Sequence, residues 1–165
     1  MATDNSEISY SPGYPHYYTL GGIPLDPEDI GPRADWKERI DSYALSHEGE
    51  KAIRRADGDP VKILNVYRRE LKKAQKRLQG DIKSYEHIMR EKPEGWDSMS
   101  QDERWEHNET NWYNGFATSL SLKYNHISYQ KASICACRWR IEELNRRAGS
   151  QRELFSESGQ GVDYE

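Results

Sequence analysis

Tyr113, Leu120, Ile127, Ile134, Ile141 and Ala148 stand seven residues apart, an apolar ladder through the last third of the chain. Phe116, Cys137 and Leu144 hold the second core position of the same frame, with Lys123 and Gln130 as its polar exceptions. A sevenfold repeat keeps one stripe of a helix against one partner, so a second long helix should lie beside this one. Gly149 follows the ladder where a glycine commonly ends a helix. Residues 150–165 are polar and acidic and read as a disordered tail.

The partner lies upstream. Asp59 is a good N-cap and Pro60 suits the first helical position, so a helix opens there and runs to residue 92, before Pro93. Its apolar stripe is Leu64, Tyr67, Leu71, Ala74, Leu78, Ile82, Tyr85 and Met89, in steps of three and four. Each long helix spans roughly 50 Å. Residues 93–99 connect them, and Ser100 with Glu103 forms a capping box that restarts helix over 100–149, broken or bent near Asn114-Gly115. The fold class this implies is all-α: a long antiparallel, coiled-coil-like helical hairpin. Ile127, Ile134 and Ile141 are expected on one buried seam with Leu120, facing Leu71, Leu78 or Tyr85. Such heptads serve as the core of a bundle or as a seam that also takes a partner chain.

Two short helices are expected over residues 33–56. Trp36, Ile40, Tyr43 and Ala44 form one stripe, and a second piece over 50–56 ends at Asp57-Gly58. Trp36, Trp105 and Trp112 are expected to anchor the short helix where the hairpin turns. Residues 1–32 are too rich in Pro and Gly for regular structure, yet carry Tyr10, Tyr14, Tyr17 and Tyr18. This extended arm packs on its own domain, docks on another subunit through Tyr14, Tyr17 and Tyr18, or stays disordered.

Composition sets the outer bounds. Leu, Ile, Val and Phe number 26 of 165, under the fifth of a chain usual for folded domains, while the net charge is only −4. An ordered helical centre with poorly packed ends reconciles the two. No run approaches the length of a membrane span, and residues 1–10 lack the apolar core of a secretory signal. Cys135 and Cys137 lie about 200° apart on a helix, so they cannot bond to each other or share a metal. They read as reduced thiols, which places the chain in the cytoplasm or another reducing compartment.

Charge is the most informative feature. Residues 60–93 hold ten Lys/Arg against four Asp/Glu, and residues 116–149 hold six against two. A basic hairpin therefore lies between acidic segments such as 26–29 and 103–109. Its densest cluster is Arg68, Arg69, Lys72, Lys73, Lys76, Arg77 and Lys83, of which Arg69, Lys72, Lys76 and Lys83 share one side of the helix. Such a face is solvated, meets an acidic protein surface, or tracks nucleic-acid phosphates.

Motifs of chemistry are missing. The five histidines show no metal-ligand spacing; His107 has only Glu103 at i−4, which suits a surface pair. No phosphate loop, dinucleotide fingerprint or nucleophile elbow occurs. No cofactor and no small-molecule substrate is indicated. The reading that follows is a non-enzymatic structural or assembly protein, working by helix–helix and arm contacts, as a homo-oligomer or as part of a larger particle such as a virus or phage. The alternative is a nucleic-acid-binding module that uses the basic face.

Overall fold

The computed structural model of the chain describes residues 26–110 and 115–158. The protein is mostly helical, with no strand among the described residues. After a 3-10 turn at Pro27–Asp29 come α1 (Ile40–Ala44), α2 (His47–Ala56), α3 (Pro60–Arg90), a second 3-10 turn at Trp96–Ser98, α4 (Gln101–Thr110) and α5 (Phe116–Ser158). Tyr14, Tyr17 and Tyr18, with Trp112, Tyr113 and Asn114, lie outside the described residues.

The helix ends follow local chemistry. Ser46 caps α2 by accepting the Gly49 N–H at 3.1 Å. Asp57 (φ 49°) and Gly58 (φ 77°) end that helix in the left-handed region. Asp59 then caps α3, accepting the Val61 N–H at 3.0 Å, with Pro60 in the first turn. Ser100 accepts the Glu103 N–H at 3.2 Å at the start of α4. Gly149, expected to end the last helix, sits inside it, and α5 continues to Ser158. A helix-interior glycine costs only about 1 kcal/mol relative to alanine, too little by itself to end a helix of this length.

The most extensive packing in the molecule joins α3 and α5. Numbers rise along one as they fall along the other: Arg77 Nε donates to Gln130 Oε1 at 3.0 Å, and Lys123 Nζ meets Asp81 Oδ1 at 3.3 Å. The two polar exceptions of the α5 ladder are thus each matched by a polar group on α3. Two apolar clusters flank these bridges. One gathers Tyr85, Trp96, Phe116, Ala117, Leu120 and Ile127 with Ile30, and Leu78 packs on it. The other gathers Tyr43, Ala44, Tyr67, Ala132, Ala136 and Cys137, with Leu71 and Ile141 against it. Ile127 is 0% exposed; Ile134 is buried and Ile141 half-buried.

Burial departs from a single seam in two places. Ser121, Ser128, Ala132, Ser133 and Ala136 are buried on α5 beside the ladder. Their small side chains let neighbours approach closely: α1 packs on α5, and the segment around residues 30–33 lies against it. Val66 and Glu70 are buried on α3 because α2 covers a second face of that helix.

Residues 26–32, the expected end of the arm, and Arg33 after them are tied to α5 of their own chain. Lys131 Nζ donates to the carbonyls of Pro27 (2.8 Å), Glu28 (3.3 Å) and Ile30 (2.5 Å). Ser128 Oγ donates to Gly31 O at 2.9 Å, and Arg33 donates to Asn125 Oδ1 at 2.6 Å. Trp36 packs in the cluster around Cys137, away from the α3–α5 connection where it was expected. Trp96 is buried at the connection, edge-on to Phe116 at 5.0 Å. Trp36 precedes α1, and α1 packs on the middle of α5, between Tyr129 and Arg140, which carries the indole there. No described helix is long and apolar enough to cross a membrane.

Candidate anion-binding face

The seven cations expected on α3 are all exposed, and the structure divides them. Arg77 turns toward α5 and is used by Gln130. Lys73 approaches Glu70 at 3.5 Å. Lys76 and Lys83 stand farther along the helix. Arg68, Arg69 and Lys72 are brought together with Arg55 of α2 and Lys62 of α3 around a cleft of about 690 Å³ between the two helices. Its other lining residues are Asn65 and the small apolar floor of Ala52, Ala56 and Val66. A contiguous smaller cleft of about 200 Å³ adds Lys73, Gly49, Glu48 and Glu70.

Among the described residues none of Arg55, Lys62, Arg68, Arg69 and Lys72 makes an ion pair. The nearest buried carboxylate is committed elsewhere. Glu70 is 4% exposed and accepts the Ser46 backbone N–H at 2.8 Å, at the positive end of α2. Gly49 permits this approach: a Cβ there would sit 3.0 Å from the Glu70 carboxyl carbon. Glu70 therefore ties the start of α2 to α3. Lys62 stands in the first turn of α3, where no acidic residue occurs and the helix dipole disfavours a cation.

Two of the five cleft cations, Arg55 and Lys62, were missed in the sequence. Lys62 had a signal: it precedes Arg69 by seven, so Lys62, Arg69, Lys76 and Lys83 form a basic heptad row of their own. Arg55 had none, because its position depends on α2 folding back over α3 through Ala52 and Ala56.

Other reactive groups sit in structural roles. Cys137 is buried and donates to Ala44 O at 3.3 Å; burial, aided by the Glu70 charge, pushes its thiol up to about 12. Cys135 is half-buried and also raised by burial. At neutral pH both are protonated and poor nucleophiles. Tyr67 is raised to about 12 by burial and by Asp41, which accepts its hydroxyl at 3.2 Å and takes Arg140 through two bonds of 2.9 and 3.0 Å. That network ties α1, α3 and α5 together. No three His, Cys, Asp or Glu side chains among the described residues are placed to hold a metal ion. No family model matches the chain, and searches of curated proteins and of solved structures return no match.

Proposed function

We propose that this is a non-enzymatic docking protein, whose helical body holds an anionic macromolecule on the exposed basic face of α2 and α3. One observation carries the reading: five cations converge on one cleft, and among the described residues no carboxylate is paired to any of them. Like charges at such spacing repel, and a chain of net charge −4 has ample acid elsewhere to relieve them. A counter-charge supplied from outside accounts for the arrangement. The hairpin of α3 and α5 then serves as a rigid frame. A heparin column tests this. The native protein should be retained and released by salt, and a variant carrying Arg69→Glu and Lys72→Glu should elute at clearly lower salt. Equal elution of the two would sink the reading.

A second reading, assembly from copies of the chain, is favoured by the acids at other places on the same body. Asp26, Glu28 and Asp29 are exposed and without ion pairs among the described residues, as are Asp102 and Glu103. An acidic patch of one copy meeting the basic face of the next is a heterologous contact, which builds rings or filaments. Sedimentation across a concentration series, with no polyanion added, should then show mass rising with protein and falling with salt.

A further inference from the structure

We infer that the macromolecule taken by the α2–α3 cleft is nucleic acid, held by its phosphodiester backbone and without regard to base sequence. The inference rests on the docking reading above and names its partner. Three features of the cleft select this chemistry.

The first is its hydrogen-bond character. Arginine and lysine offer only donors, and of the cleft side chains Asn65 alone offers an acceptor. A phosphodiester backbone brings only acceptors, so each charged oxygen finds a donor and nothing on the ligand is left unmet. An acidic peptide laid in the same place brings N–H groups as well, and Asn65 is the one acceptor among the described side chains of this cleft to meet them, so the rest are left to water. The three arginines, Arg55, Arg68 and Arg69, add planar forks that fit phosphate oxygens in pairs.

The second is length. The heptad row from Lys62 through Arg69 and Lys76 to Lys83 covers about 30 Å of helix. A compact phosphate ligand would use the cleft and leave Lys76 and Lys83 idle. A linear polyanion seated in the cleft continues along the row.

The third is the lack of an aromatic platform. Among the described residues no aromatic side chain lines the cleft, and its floor of Ala52, Ala56 and Val66 carries no polar group to address a base edge, so the rim cations are left to meet phosphates. Contacts to the backbone alone give affinity without sequence preference.

The full chain is titrated into short fluorescein-labelled DNA duplexes of two unrelated sequences, with fluorescence anisotropy as the readout and poly-glutamate as a competitor. The two sequences should bind alike. The logarithm of the binding constant should fall against the logarithm of salt with a slope of about −6, since each phosphate contact, at the five cleft cations and at Lys76 and Lys83, contributes roughly −0.9. Arg55→Glu with Arg69→Glu should lower that slope by about two units. Arg138→Glu, on the exposed side of α5, should leave it unchanged. Because a charge reversal can unsettle a fold, Lys62→Gln with Lys72→Gln gives the same comparison at two exposed sites, with helix content followed by circular dichroism. If poly-glutamate binds as tightly as DNA at equal salt, the docking face stands and nucleic acid as its partner falls. If neither polymer binds, both readings fall. An equal loss in the Arg138→Glu variant would reduce the effect to diffuse charge and overturn the cleft as the site.

Discussion

The two sides of α3 treat charge in opposite ways. On the side that meets α5, polar groups come in matched pairs: Arg77 with Gln130, Asp81 with Lys123. On the side that meets α2, Arg68, Arg69 and Lys72 gather with Arg55 and Lys62 and are matched by nothing in the described chain. The seam toward α5 is complete as folded, because a polar group near a core costs stability unless it is paired. The cleft toward α2 stays wet, so its cations remain hydrated and folding can tolerate them unpaired. One side is thus completed by the chain itself, and the other carries cations that no described group pairs.

The largest expected effect tests the completed side. Ile127, a rung of the α5 ladder, is fully buried in the cluster that also holds Tyr85. Ile127→Ala should cost about 3 kcal/mol, from lost transfer energy plus the cavity left behind, read as a lower urea midpoint at unchanged slope. A cost under about 1 kcal/mol would mean that the α3–α5 contact is loose.

Alkaline pH gives the next effect, and it too belongs to the packed side. The Cys137 thiol is raised from 9 to about 12 and the Tyr67 hydroxyl from 10 to about 12, in both cases chiefly by burial. Both groups are neutral when protonated, and the folded state holds the proton longer. Between pH 9 and 12 the unfolded chain therefore loses protons first, which favours unfolding. Stability should be flat below pH 9 and then fall by up to roughly 1.4 kcal/mol per pH unit for each group. In Cys137→Ala the absolute stability drops, yet the decline between pH 9 and 12 should be shallower than in the native protein. Urea titrations at a series of pH values measure this slope. An unchanged slope would remove the thiol from the interior.

How far the sequence reveals this division follows from what periodicity can report. Hydrophobic spacing and caps show α3 and α5 well: Asp59-Pro60 starts one, and Leu120, Ile127 and Ile134 line the other as buried residues. Periodicity is blind to small and polar side chains. Ser128 and Ala132 become buried because they are short enough for other segments to press on α5, and no apolar stripe announces that. Glu70 looks like one more charge on a basic helix until α2 is in place and its Ser46 N–H needs an acceptor. The contacts of Lys131 with three main-chain carbonyls leave no trace in side-chain patterning. The site was half legible for the same reason: the cations of α3 repeat visibly, and Arg55 comes from a helix whose packing rests on Ala52 and Ala56.

The smallest effect is the sharpest discriminator between the two sides. Arg77 and Lys72 are both exposed basic residues of α3, five apart, and a propensity scale treats them almost alike. Arg77→Ala removes the partner of Gln130 across the helix interface and should cost roughly 0.5–1 kcal/mol, the usual net worth of one hydrogen bond. Lys72→Ala removes a cation from a cluster of like charge and loses no bond within the described chain. It should leave stability within about 0.5 kcal/mol of the native value, with any change toward greater stability at low salt, where repulsion is least screened. The same substitution should weaken polyanion binding, while Arg77→Ala should weaken it less. If instead Lys72→Ala destabilised the protein as much as Arg77→Ala does, the cations of the cleft would be serving the fold. The asymmetry between the two sides of α3 would then reflect only where partners are easy to see.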